Sequence, residues 1–255
     1  MGYESAIPAG MPILTNPITA PRGIYRGYEG RRVPLLSGHA SKGFDLPLIK
    51  GSERDDLIEA QEKSKTTIPD LCDAAGLKVK NQASTNFCWI NAPVHILEVD
   101  RVIQGEEYVE LSPASVGSII MNFHNRGGSG VVGMEWMAEH GCVPARLWPC
   151  NAISKQYDTP EADAERAKYK PLEYYDLDPR DEDAIISCIL QGKAVSVGVP
   201  SWSHEVTLSA VLKRGNGYDF IFDNSWDTSY GTNGRGVFHN TRFDEAIACG
   251  VVVAS

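Results

Sequence analysis

Apolar residues recur at helical spacing after Cys88-Trp89, where Ile90, Val94, Ile96, Leu97, Val99, Val102 and Ile103 cover a broad face and Gly105 offers a stop. The pattern predicts a helix that begins at Cys88, delivered there by the polar, turn-rich run Asn81-Gln82-Ala83-Ser84-Thr85-Asn86-Phe87. Pro93 falls inside it and removes a donor, which predicts a kink. Leu111-Ser112-Pro113-Ala114-Ser115 reads as an N-cap with proline at the first helical position, opening a helix to about Asn122. Gly127-Gly128-Ser129-Gly130 leads into a helical run from Val131 to His140, closed by Gly141. Pro160 to Lys170 reads as a charged, exposed helix or loop, and Asp181 to Leu190 as a helix with an acidic first turn.

From Ala194 the period changes to two. Ala194 to Val199 alternates as a strand, Pro200-Ser201-Trp202-Ser203 turns, and a strand from His204 through Val206, Leu208 and Val211 reaches the turn Gly215-Asn216-Gly217. Tyr218 to Phe222 returns antiparallel and ends at Asp223-Asn224-Ser225-Trp226. Simple pairing sets Asn224 opposite about residue 208, so a bulge or strand coiling is needed to bring it to His204. Upstream, residues 1 to 51 hold six of the 15 prolines and predict a meandering arm, whose pieces Val33-Pro34-Leu35-Leu36 and Leu46-Pro47-Leu48-Ile49 suit an extended segment laid on another surface. Ser52 and Asp55 read as a capping box for a short polar helix to Lys65, a solvated connector.

Composition narrows the function classes. A length of 255 residues with 42% hydrophobic content suits one large or two small globular units. A net charge of -9 without a basic stripe argues against a nucleic-acid surface. No apolar run approaches the roughly 20 residues that span a bilayer, and no secretion signal is read at the start, so a cytoplasmic protein or part of an intracellularly assembled particle is expected. The six cysteines at 72, 88, 142, 150, 188 and 249 include no Cys-x-x-Cys pair, so no metal site and no cofactor are expected.

The candidate chemistry centres on Cys88. A thiol at a helix start is favoured as thiolate by unpaired backbone N–H groups and the helix dipole. Taken alone, Cys88 reads first as a buried, inert cysteine, since free cysteine is among the most buried residue types, and the glycine run 127 to 130 reads equally as a flexible loop or as a place of close backbone approach. A cysteine nucleophile needs a base, a group to orient that base, and donors for an oxyanion. Gln82, His204 and Asn224 supply those types. His39, His95, His124, His140 and His239 read as core or surface histidines.

The order Gln82, Cys88, His204, Asn224 resembles that of the papain-like cysteine peptidases. Val79-Lys80-Asn81-Gln82 with Cys88-Trp89 is similar to the family's nucleophile segment, and Asn224-Ser225-Trp226 with Gly231, Asn233 and Gly234 to its Asn-Ser-Trp-Gly signature. Ile68-Pro69-Asp70 resembles the start of the mature enzyme and Gly127-Gly128 the substrate-binding glycine pair. The resemblance covers most of residues 68 to 255 in patches. It implies an α+β fold of two lobes, one helical and led by Cys88, one β-rich with His204 and Asn224, and a cleft between them. Cys88 would be nucleophile, His204 general acid and base, Asn224 its orienter, Gln82 with the Cys88 N–H the oxyanion hole, and Trp226 a shield over the His-Asn hydrogen bond. Residues 1 to 67 stand in the place of a propeptide, as a latency segment or a tether to a larger assembly.

The departures carry their own expectations. Thr85-Asn86-Phe87-Cys88 replaces Cys-Gly-Ser-Cys, and Asn125 stands where the missing cysteine's disulfide partner would align. Asp227 replaces the glycine after the signature tryptophan and Tyr230 the second tryptophan. Only Pro200 to Ser203 separates His204 from the preceding strand, so that cleft wall is reduced. Glu205 and Gly130 fall at positions that line the S2 pocket, which is expected to disfavour acidic P2 side chains and admit basic ones. The function implied is a thiol peptidase acting on a peptide or protein through an acyl-enzyme. Two alternatives are a structural or interaction protein on the same fold, tethered by the arm, and an acyltransferase on the same triad.

Overall fold

The computed structural model describes residues 47–239 and 242–250. The arm up to residue 46, with Val33 to Leu36 and His39, lies outside the described residues. Strands β1 (Glu173–Asp176), β2 (Val195–Val199), β3 (His204–Arg214), β4 (Gly217–Asp223), β5 (Arg235–Phe238) and β6 (Glu245–Gly250) form one antiparallel sheet in the order β1-β6-β2-β3-β4-β5. Strand β6 therefore inserts between β1 and β2 although it closes the described chain. Strand β3 is buried along its first nine residues, and α3 (Cys88–Ile103) and α7 (Glu182–Leu190) both pack on it.

Helix α3 runs through Pro93 without interruption, and its residues from Cys88 to Asp100 are all buried. It packs on β2, β3 and β6 and also on α2 (Ile68–Ala74), α4 (Ala114–Ile120) and α5 (Gly130–His140). A helix covered on all sides needs partners for its polar residues, and Asn91, His95, Glu98 and Asp100 all find them. The start of α4 bears out the predicted cap: Ser112 Oγ accepts from Ser115 N at 3.3 Å, with Pro113 already in helical geometry.

Three expectations are corrected. The capping box at Ser52 does not form, because helix α1 (Gly51–Ser64) takes Lys50 as its N-cap, two residues before Ser52, and no side chain caps it. Nor is α1 a solvated connector. Arg54 is buried, donates to Ile49 O at 3.1 Å and pairs with Asp183 of α7 at 2.7 Å, while Asp55 meets Lys213 and Tyr218 at the far tip of the β3-β4 hairpin. The segment before α1 is laid along α7 as the sequence predicts, with Ile49 N donating to Ser187 Oγ and Gln191 Nε2 to Pro47 O. The run from Pro160 to Lys170 is also less exposed than expected: α6 (Pro160–Arg166) buries Arg166, whose guanidinium donates to Ser115 O and lies over Trp136. Among the described residues no helix is long and apolar enough to cross a membrane.

Candidate active site

The segment before Cys88 is shaped by its own polar side chains. Asn81 Oδ1 accepts from Ala83 N at 2.8 Å, an Asx turn that lets Ala83 adopt a φ of 47°. Thr85 closes the next turn, its N–H and hydroxyl both donating to Gln82 O. This run is zipped to the chain after Asn224: Asn81 bridges Trp226, Gln82 N donates to Ser225 O at 2.8 Å, and Asp227 N to Lys80 O. Gln82 is buried and used at both ends of its side chain, with Oε1 accepting from Ser225 Oγ at 2.6 Å and Nε2 donating to Thr85 O at 2.8 Å. Cys88 follows as the first residue of α3, a helix that no side chain caps.

His204 opens β3, and its Nε2 lies 2.8 Å from Asn224 Oδ1. The same oxygen accepts from Ser225 N at 2.8 Å, so the amide can present only its carbonyl to the ring. His204 must therefore donate from Nε2, which leaves Nδ1 as its basic nitrogen. Trp226 stacks on the imidazole at 4.7 Å between centroids, with Tyr230 edge-on to the indole. Cys88 and His204 have no exposed surface, and Asn224 only 2%. Asp227 takes a φ of 72°, the left-handed region that explains a glycine at the matching position of the resembled signature; here its carboxylate accepts from Thr228 and Asn81.

The glycine segment lies against the helix start. A Cβ on Gly128 would fall 2.7 Å from the Trp89 indole, whose Nε1 donates to Arg126 O. A Cβ on Gly130 would fall 2.1 Å from Glu205 Oε1. Glu205 is fully buried and accepts from Ser196 Oγ at 2.5 Å. Gly198 of β2 pairs with both Glu205 and Glu245, so the two glutamates flank a residue without a side chain. Glu245 was not singled out from sequence, yet it caps α5 by accepting from Ser129 Oγ, Gly130 N and Val131 N at 2.5, 3.0 and 3.0 Å. Burial, then the charge of Glu245, pushes Glu205 well above the carboxylate range; burial also raises Glu245, against the donors of its cap. Each carboxyl thus makes the other harder to ionise.

Asn125 occupies the place expected from the missing disulfide in an unexpected way. Its Oδ1 accepts from Asn86 N at 2.6 Å, its Nδ2 donates to Ser84 O at 3.2 Å, and its carbonyl accepts from Asn86 Nδ2 at 3.3 Å. All six cysteines are thiols. Burial raises Cys142 to about 11 and Cys150 and Cys188 to about 12, and pushes Cys72 and Cys249 up as well.

Comparison with solved structures agrees with this architecture. The chain is similar to digestive procathepsin L 3 of the Tenebrio molitor larval midgut, at 16% identity over 68% of this chain and 66% of that one, with a TM-score of 0.58. It is similar to xylellain, a cysteine protease from Xylella fastidiosa, at 16% identity over 69% and 83% of the two chains, with a TM-score of 0.55. The proform of the ragweed pollen cysteine protease Amb a 11 matches at 16% identity over 69% and 63%, with a TM-score of 0.56. No protein-family model and no curated protein sequence matches the chain. The fold is papain-like, α+β and two-lobed, and its structural neighbours are cysteine proteases.

Proposed function

We propose that this protein is a thiol peptidase that cleaves peptide bonds through an acyl-enzyme on Cys88, His204 and Asn224. The observation that carries the reading is the His204 to Asn224 hydrogen bond under the Trp226 indole, which fixes the tautomer a thiol-activating base needs. Cys88, as thiolate beside an imidazolium, attacks the scissile carbonyl; the sulfur-carbon bond forms while the developing oxyanion takes the Cys88 N–H and the second Gln82 amide hydrogen. His204 then passes its proton to the leaving amine as the carbon-nitrogen bond breaks. Water, deprotonated by His204, attacks the thioester and releases the acid and the thiol.

Gly127, Gly128, Gly130 and Glu205 form the substrate wall in this reading, with Trp226 over the base. The Glu205 and Glu245 carboxyls disfavour acidic P2 side chains and admit basic ones, and a peptide library cleaved best with Asp or Glu at P2 would refute that preference. In this reading the arm before α1 serves as a latency segment or an assembly tether, and α1 packs with the peptidase domain.

A second reading is supported by burial. Cys88 and His204 are fully enclosed, as suits a papain fold retained for structure or interaction. Treatment with an epoxide electrophile, followed by mass mapping, separates the two. A peptidase gives selective modification of Cys88 that is lost in His204→Ala. The structural reading gives no preference for Cys88 over the other five thiols.

A further inference from the structure

Behind the candidate site lies a second histidine, set between two carboxylates. His95 stands on α3 seven residues after Cys88, two turns along the same face, and is 2% exposed. Its Nε2 lies 3.0 Å from Asp223 Oδ2 of β4, and its Nδ1 3.7 Å from Glu98 Oε2 of α3. Asp223 also accepts from Ser209 Oγ of β3 and Arg235 Nε of β5, each at 2.9 Å, and Arg235 forks onto Asp73 of α2 at 2.9 and 2.8 Å. Glu98 pairs with Lys80 and accepts from Leu111 N at 2.6 Å. The Cys72 thiol of α2 lies close to Asp223 and Arg235, and Glu110 and Cys150 face Lys80.

The charges in this chain of contacts are Lys80, Arg235 and His95 against Glu98, Asp223 and Asp73. With His95 protonated the cluster has three of each sign. Asp73 is half exposed, so the constraint that matters is local: both ring nitrogens of His95 face carboxylate oxygens, which only accept, and a neutral ring would turn a lone pair on one of them. Burial alone would lower the affinity of His95 for its proton, and the bonds and charges of Asp223 and Glu98 outweigh it and raise that affinity.

The cluster is also threaded through the site. Lys80 is two residues before Gln82, His95 shares the helix of Cys88, and Asp223 immediately precedes Asn224. We propose that His95 is a positioning residue: its imidazolium pins the end of β4, and so Asn224 and the His204 ring, to the helix that carries Cys88. The proposal rests on reading Cys88, His204 and Asn224 as one site, but its test does not require turnover.

Histidine-selective NMR of the full chain reads both claims. In the wild-type protein one imidazole, lost in His95→Gln, should stay protonated well above the ordinary histidine midpoint of about 6.5. His95→Gln should shift the His204 midpoint by at least ~0.5 pH unit, and His95→Gln with Asp223→Asn, which restores two charges against two, should return it towards the wild-type value. His140→Gln, at the surface, should leave it in place. Should His95→Gln fail to fold, Asp223→Asn alone should move the His204 midpoint by a similar amount in the opposite direction. A His95 midpoint near 6.5, or a His204 titration unmoved by these variants, overturns the proposal. Failure of the peptidase reading is seen separately, as loss of selective Cys88 labelling.

Discussion

His204 and Asn224 meet at 2.8 Å although the hairpin that carries them does not set them opposite one another. Near the tip, Arg214 faces Gly217; past the shift between Leu208 and Ala210 the register moves by one, so that Thr207 faces Asp223. Ser209 is the bulged residue, and its hydroxyl bonds the Asp223 carboxylate rather than solvent. A bulge adds twist and bends the strand that contains it, which carries the start of β3 towards the end of β4. The pair is thus a product of one extra residue in β3.

The use of Gln82 at both ends predicts how its removal will look. Gln82→Ala should lower kcat by roughly 10²- to 10³-fold, the usual cost of one oxyanion donor. The alkylation rate of Cys88, which forms no oxyanion, should change far less. Parallel peptide turnover and iodoacetamide kinetics with mass mapping check this. An equal loss in both would mean that Gln82 shapes the loop through Ser225 and Thr85 rather than stabilising an oxyanion.

Much of this was legible beforehand, and the reasons differ by element. The helices at Cys88, Ala114, Gly130 and Glu182 and the β3-β4 hairpin are local patterns, so periodicity and turn residues predict them. Glu245 and Asp223 were not, because their partners are set by topology: β6 crosses back between β1 and β2, and His95 meets Asp223 128 positions away. A buried histidine on an apolar helix looks the same in sequence whether it packs or pairs. Ser52 misled for a related reason, since contacts of Arg54 with α7, not local capping, decide where α1 begins.

The raised proton affinity of Glu205 sets a direction for pH. A carboxyl whose folded pKa is raised above its unfolded value near 4.3 contributes most below that value, and the contribution is lost as pH rises through the folded pKa. The pair titrates as a unit, so the loss belongs to both glutamates. Glu205→Gln keeps the neutral shape without the titration. Thermal melts from roughly pH 5 to 8 should show Tm falling more steeply in the wild type than in Glu205→Gln, with the difference growing with pH. Parallel curves would mean that Glu205 has an ordinary carboxylate pKa.

Asn125 is expected to hold the run before Cys88 in the way a cross-link would, through three hydrogen bonds to Ser84 and Asn86. They are exposed, so each contributes little against water. Asn125→Ala, which keeps the backbone carbonyl, should lose the two side-chain bonds and cost about 1 kcal/mol in urea unfolding. Amide exchange should accelerate at Asn86, whose N–H loses its acceptor. Unchanged protection there would show that the turn at Gln82 holds the run alone.

The docking of α1 bears on where the peptidase domain begins. A free latency segment or tether from 1 to 67 would leave the remainder stable when removed. Ile58 is 4% exposed and belongs to the same apolar cluster as the sheet, Arg54 is buried against α7, and Gln61 Nε2 donates to Leu190 O at 2.9 Å. A chain of residues 68 to 255 should therefore be less stable than one of residues 47 to 255. Ile58→Ala in the full chain should cost roughly 2 to 3 kcal/mol, at the lower end for a buried isoleucine because α1 lies at the edge of the core. Denaturant unfolding of the three proteins decides it. If residues 68 to 255 unfold at the same midpoint as the full chain, α1 is a separable part of the arm; a lowered midpoint makes it part of the sheet lobe and confines any tether to the residues before it.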